Sequence, residues 1–261
     1  MLPTPVVSIQ PKRELGQHFL VDQNVLGVIG RLAELAPEDV VLEIGPGLGV
    51  LTRYLAAHVA RVHAVELDAS LARHAEDAGA NVDLHLGDAL RLDLAALAPD
   101  ATKLVANLPY NIATPLIVES LAGLLQIRLW CVMLQREVAD RLFADPGTKP
   151  YGAVSVLVQL CAQRTGFHPV SRTVFRPRPN VDSALVAFRR TEFPSNYAAV
   201  KSVVTGAFAH RRKTLPNSLA LAGFGSRERA VEALAAIDRP AATRAEALTP
   251  PEFVELTEAL R

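Results

Sequence analysis

Through the first 145 residues, short apolar runs of strand length alternate with segments of helical periodicity, and this alternation constrains the fold more than any other feature. The strand-like runs are Val40 to Ile44, Arg61 to Glu66, Val82 to Leu86, Lys103 to Ala106 and Leu129 to Leu134. Between and around them, helical spacing covers Val25 to Leu35, Leu51 to His58, Ala69 to Ala78, Ile112 to Leu124 and Arg136 to Phe143. Strands that are apolar nearly throughout belong to a parallel sheet covered on both faces. Strand–helix alternation with right-handed crossovers then gives an α/β, doubly wound, Rossmann-like sheet.

The pattern changes further along. Asp145 to Pro150 reads as a surface loop, and Tyr151 to Ala162 as a helix. Phe167 to Val174 and Ser183 to Phe188 read as two late strands at the sheet edge, joined by a Pro-rich basic linker, 175–182. From Asn196 onward only helices are expected: Tyr197 to His210, a short one near Leu219, Arg227 to Ala236, and Pro251 to Leu260. These assignments divide the chain into a catalytic domain, 1–190, and a small helical domain, 191–261, with residues 1–11 a loose arm. No run approaches the roughly 18 apolar residues of a membrane span, and no signal-peptide pattern is present. Cys131 and Cys161 both lie in apolar runs, as buried reduced thiols do, so a cytoplasmic location is expected.

Ligands in open α/β sheets sit outside the carboxyl ends of the strands, so the residues at those ends carry the functional reading. The first strand runs into Gly45-Pro46-Gly47-Leu48-Gly49, where missing Cβ atoms let a ligand approach the backbone. Glu66 ends the second strand, 21 residues beyond Gly45, and can accept both hydroxyls of a ribose. A dinucleotide site also places an acid about 20 residues on. Here, however, the spacing is Gly-x-Gly-x-Gly, which leaves the pyrophosphate seat imperfect. Asp88, ending the third strand, can accept from an adenine amino group. Acceptors for ribose and adenine without a clear phosphate seat fit S-adenosylmethionine better than a nicotinamide dinucleotide.

The fourth strand delivers Asn107-Leu108-Pro109-Tyr110. Asn107 offers an amide oxygen, Pro109 stiffens the turn and aims the neighbouring carbonyls, and Tyr110 offers a flat ring. That combination suits an exocyclic amine on a planar heterocycle, although Asn and Pro are also ordinary turn residues. Net charge is zero, yet the segment from Arg164 to Lys213 holds ten basic and two acidic residues. Such asymmetry points to one basic face able to track phosphates. His58, His63, His74 and His85 lack ligand-pair spacing, and no metal is expected.

These motifs resemble the bacterial KsgA family, the S-adenosylmethionine-dependent adenine dimethyltransferases of small-subunit ribosomal RNA. The resemblance runs through Gly16 to Leu20, Glu43 to Gly49, Glu66 with Asp68, Gly87-Asp88, Asn107 to Ile112, Phe175 to Ser183, and Phe208 to Leu219. It implies two methyl groups on each of two adjacent adenosines near the 3′ end of the RNA, added by a monomer to a pre-assembled 30S particle. It also implies roles for individual residues. His18 and Leu20 lie over the cofactor, Gly45 and Gly47 along its methionine portion, Glu66 on the ribose and Asp88 on the adenine. Asn107 and the Leu108 carbonyl hold the target amine, Tyr110 stacks on the target base, and Phe175 closes its other face. Arg176, Arg178, Arg211, Arg212 and Lys213 are the expected RNA contacts. Pro216 and His18 depart from the family pattern, which has a basic residue at the first position and often Asn at the second. The alternatives are a macrolide-resistance-type methyltransferase acting on large-subunit RNA, a non-catalytic RNA-binding assembly factor, and a dinucleotide oxidoreductase.

Overall fold

The computed structural model describes residues 17–261; the expected amino-terminal arm and Gly16 lie outside the described residues. The described chain starts with a short strand, β1 (Phe19–Leu20), and helix α1 (Gln23–Leu32), whose amino end is capped by the Asp22 carboxylate accepting from the Asn24 N–H. Alternation follows, with one short helix (α4) that the sequence pattern did not show: β2 (Val40–Ile44), α2 (Val50–Ala56), β3 (Arg61–Glu66), α3 (Ala72–Glu76), β4 (Val82–Leu86), α4 (Leu94–Leu97), β5 (Lys103–Asn107), α5 (Ala113–Gly123), β6 (Leu129–Gln135) and α6 (Arg136–Leu142). Helix α1 stops before Pro37: Glu34 takes a positive φ of 49°, and the Ala33 and Leu35 amides close the last turn on Ile29 and Gly30.

After helix α7 (Ala153–Gln159) come β7 (Ala162–Val170), the two-residue β8 (Phe175–Arg176) and β9 (Ser183–Arg190). Strand β7 begins earlier than its apolar pattern implies, because a register shift between Arg164 and Gly166 interrupts the alternation. The main sheet has the order β4-β3-β2-β5-β6-β9-β7, parallel through β6 and antiparallel beyond it. The strand order therefore reverses between β2 and β5, and a crevice opens there at their carboxyl ends. Strand β8 pairs instead with β1, giving a separate antiparallel ribbon (Phe19 with Arg176, Leu20 with Phe175).

Both sheet faces are covered. Alternate residues of β6 divide between two cores: Trp130, Val132 and Leu134 pack on one side, Leu129, Cys131 and Met133 on the other. Both cysteines are free and buried, and burial pushes each thiol up to about 12. Among the described residues no strand follows Arg190; the remainder is α8 (Tyr197–Ala209), α9 (Leu215–Leu221), α10 (Arg227–Ala236) and α11 (Pro250–Ala259). These helices share a core with the sheet, since Val200, Leu219, Leu234 and Phe253 belong to the same buried cluster as Trp130 and Phe188. The Tyr151 hydroxyl, donating to the Leu248 carbonyl at 2.7 Å, adds a polar tie. Pro216 occupies the first turn of α9, where a missing N–H is harmless, and is buried there. Among the described residues no helix is long and apolar enough to cross a membrane.

Candidate active site

The crevice at the strand-order reversal is a deep cleft whose walls gather nearly every residue expected of a cofactor site. His18, Leu20, Gly45, Gly47, Glu66, Asp88, Asn107, Leu108, Pro109 and Tyr110 all line it. The glycine loop follows β2 and makes one wall. A Cβ on Gly47 would stand 3.0 Å from the Phe19 ring at a φ of +58°, so the loop can lie against β1 only as glycine. Gly49 serves a different purpose. It caps α2 at a φ of +70°, and a Cβ there would run into the carbonyl of His74 at 2.3 Å. The third glycine is thus demanded by helix packing rather than by a ligand.

Glu66 is buried, and its two oxygens accept from the Gly47 N–H at 3.0 Å and the Asp68 N–H at 2.8 Å. Two backbone donors hold the carboxylate in place, and a carboxylate with about four acceptor positions keeps two more for ligand hydroxyls. Asp68 in turn caps the following turn through Ser70 and accepts from Gln17 at 3.1 Å. Asp88 accepts from the Leu90 N–H at 3.0 Å and faces Arg91 at 3.4 Å.

Glu43 was not among the expected site residues, although a carboxyl inside an apolar strand was a visible signal. It lines the cleft wholly buried, and its Oε2 has no hydrogen-bond partner. Burial pushes its carboxyl up to about 8, Thr52 pulls it down, and the nearby Glu66 charge pushes it further up. Gln17 and Leu67 also line the cleft without having been anticipated. A buried carboxyl oxygen without a partner, a carboxylate with spare acceptor positions and a backbone stripped of Cβ atoms fit a polar cofactor carrying ribose hydroxyls.

At the opposite wall, the Asn107 side chain donates its Nδ2 to the His18 carbonyl at 3.0 Å. A carbonyl can only accept, so the amide nitrogen must face β1 and the amide oxygen is left as an acceptor. The His18 ring donates from Nδ1 to the Pro177 carbonyl at 2.8 Å and lies 5.4 Å, centroid to centroid, from the Tyr110 ring. Pro109 packs against the glycine loop, 3.3 Å from where a Gly45 Cβ would stand.

Three expectations meet a different geometry. Phe175 does not line the cleft. Pairing with Leu20 turns it inward, and it is fully buried with Leu20, Val170 and Leu185, so it presents no open face to a base. Arg211 is committed within the protein, donating to the Tyr151 carbonyl at 2.7 Å and lying 3.6 Å from Glu246. The basic face is also smaller than its residue count. Arg190 lies over the Trp130 ring and donates to the Leu121 and Leu124 carbonyls at the end of α5 and to the Ile127 carbonyl in the loop beyond it, while Arg189 and Lys201 pair with Glu34 and Glu119. Arg176, Arg178, Arg212 and Lys213 are exposed, the first two on the segment beside His18. No residue beyond 190 lines the cleft.

A doubly wound sheet with a buried acid ending its second parallel strand and an Asn-Leu-Pro-Tyr turn at the end of its fourth is the framework of an S-adenosylmethionine-dependent methyltransferase. The comparisons narrow this: residues 9–257 match the Ribosomal RNA adenine dimethylase family, and the chain belongs to it. It is 47% identical to the Ribosomal RNA small subunit methyltransferase A of Rubrobacter xylanophilus, over 95% of this chain and 94% of that protein. The protein of that name from Lactiplantibacillus plantarum is 44% identical over 97% and 91%. Among solved structures, a dimethyladenosine transferase from Plasmodium falciparum shares the fold at a TM-score of 0.77 and 24% identity, over 92% of this chain and 96% of that one. The 23S rRNA methyltransferase ErmE is similar at a TM-score of 0.65 and 27% identity, over 93% and 99%. The chain is accordingly an S-adenosylmethionine-dependent ribosomal RNA adenine methyltransferase.

Proposed function

We propose that this protein dimethylates the N6 amines of two adjacent adenosines near the 3′ end of small-subunit ribosomal RNA, acting as a cytoplasmic monomer on an assembled subunit particle. The observation that carries this reading is the Asn107 amide. Its nitrogen is tied to the His18 carbonyl, so its oxygen is the acceptor left to the cleft. Bound S-adenosylmethionine supplies an electrophilic methyl on a sulfonium. Everything else falls to the protein.

Glu66 holds the ribose hydroxyls, Asp88 meets the adenine amine, the glycine loop borders the methionine portion, and His18 and Leu20 cover the cofactor. Adenine N6 is a poor nucleophile because its lone pair is delocalised into the ring. Accepting its hydrogens at Asn107 Oδ1 and the Leu108 carbonyl favours pyramidal nitrogen and turns the lone pair toward the donor. Tyr110 offers the stacking face for a base drawn out of its stack, worth about 1–3 kcal/mol against an unstacking cost of a few kcal/mol. Catalysis of this kind is positioning and electrostatic complementarity. Arg176, Arg178, Arg212 and Lys213, all exposed, are the phosphate contacts of this reading. The two relatives of 47% and 44% identity support the small-subunit substrate, both being named for it.

Labelled S-adenosylmethionine offered separately to undermethylated small subunits, large subunits and naked RNA tests the reading. Label should enter small subunits alone, on adjacent adenosines. Label in large-subunit RNA would replace the substrate, and cofactor binding without transfer to any of the three would favour an assembly factor.

A further inference from the structure

Tyr110 is held by a contact that the reaction chemistry does not require. Its hydroxyl lies 2.7 Å from the Ser183 Oγ and ties down a ring that sits in the loop between β5 and α5. Ser183 is a firm anchor. It is the first residue of β9, only 1% exposed, and paired on both sides, with Gln135 of β6 and Val170 of β7. The residue before it is pinned as well. The Asp182 carbonyl accepts from the Arg136 N–H at 2.9 Å, and its carboxylate accepts from the Arg172 N–H at 3.1 Å. A half-buried ring in a loop is thus fastened at its tip to the interior of the sheet, across 73 residues of sequence. Burial raises the Tyr110 phenol and the Ser183 contact lowers it, so the hydroxyl keeps its proton at neutral pH and is no candidate for a base.

We propose that Ser183 is a positioning residue for the methyl transfer, latching the Tyr110 ring at the angle at which it receives the target base. The inference rests on the reading of Tyr110 as the stacking face. It gives the tyrosine hydroxyl a purpose that phenylalanine could not serve. A stacking ring needs no hydroxyl, whereas a ring that must be pre-aimed before the base arrives needs a second point of attachment. With Phe175 turned into the core, the aromatic neighbour of Tyr110 is His18, whose ring lies tilted by 32° at 5.4 Å, and the latch adds a second constraint at the hydroxyl end.

The test is a double-mutant cycle of Ser183→Ala and Tyr110→Phe, read as kcat and KM for methyl transfer to small subunits and as S-adenosylhomocysteine affinity by calorimetry. One neutral hydrogen bond corresponds to about a three- to tenfold loss. Each single variant should lose that much in kcat and the double variant no more than either alone, with cofactor affinity at the wild-type value and the melting temperature lowered by no more than about 2–4 °C. Wild-type kcat in Ser183→Ala, or additive losses in the double variant, would overturn the latch. So would a Tyr110→Phe loss far beyond that of Ser183→Ala, which would mean that the hydroxyl touches substrate. If the wild type methylates large-subunit RNA instead, the same cycle is run on that RNA, so a wrong substrate and a wrong latch give different results. An RNA carrying 2-aminopurine at the target position adds a readout without turnover. Its fluorescence should be quenched less by both single variants than by wild type, and equal quenching by all three would count against the latch.

Discussion

His63 and Glu66 lie three residues apart on one strand, and they belong to clusters built on opposite terms. Around His63, the nearest titratable groups pair with one another. Its Nε2 lies 2.9 Å from Asp100 and its Nδ1 3.4 Å from His85 and 3.7 Å from Asp83, while Arg61 pairs with Asp83 and lies 3.9 Å from Asp100. Around Glu66 the polar atoms are anchored through one valence and left open at another. Glu66 is held by two backbone amides, Asn107 by its nitrogen, and Glu43 keeps an oxygen with no partner. The first cluster is rich in the residue types of active sites and joins β3, β4 and the segment before β5. The second can receive something. Among the described residues, no group of three or more His, Cys, Asp or Glu side chains is arranged to hold a metal. Function follows the unspent valence rather than the residue type.

The largest effect that can break this comparison is at Asn107. Asn107→Ala removes the open acceptor while Glu66 and the glycine loop stay in place. Turnover should fall by about 10²–10³, as for the loss of one preorganised polar contact, with S-adenosylhomocysteine affinity by calorimetry changed by less than about threefold. Lost cofactor affinity with unchanged turnover at saturation would mean that the amide serves the donor and not the target amine.

Glu43 sharpens the comparison through pH. Burial pushes its carboxyl up to about 8, above the ordinary 4.5, so the folded protein keeps a proton there that the unfolded chain releases between those values. The folded state then binds more protons in that window, and its stability falls as pH rises from about 4.5 to about 8. Glu43→Gln carries no such burden. Its melting temperature relative to wild type should climb by about 3–10 °C between pH 5 and pH 8.5. A difference that stays flat across that range would show that Glu43 is ionised in the fold and already paired.

The strands β2 to β6 were legible to within a residue or so, because a buried parallel strand leaves a continuous apolar run and its termination marks the cleft. Glu66 and Asn107 were legible for the same reason, as polar residues where such runs stop. What failed to show were relationships between distant segments. The β1–β8 ribbon has two residues per strand, too few for any period, and it pairs residue 19 with residue 176. Yet this ribbon turns Phe175 into the core, and the residue just before it, His18, fixes which way the Asn107 amide faces. Arg190 and Arg211 counted toward a basic face because sequence shows a charge but not the carbonyls it is bonded to. The third glycine looked like part of a ligand loop, whereas its need comes from the His74 carbonyl.

The smallest expected effect is the one that the saturated cluster should show. Burial lowers the His85 imidazole below its ordinary range, and His63 beside it lowers it further, against the pull of Asp83. The folded protein therefore binds fewer protons at His85 than the unfolded chain does just below pH 6.5, and acidification through that range weakens the β3–β4 edge. In His85→Gln this acid sensitivity should shrink, seen as a slightly shallower fall in melting temperature between pH 7 and pH 5.5. Turnover and S-adenosylhomocysteine affinity at pH 7.5 should stay within about twofold of wild type, as for a substitution outside any ligand contact. Strand β4 nevertheless ends one residue before Gly87-Asp88 at the cleft, so a route for coupling exists. A tenfold loss of cofactor affinity in His85→Gln would show that this route is used and that paired valences can serve the site from a distance.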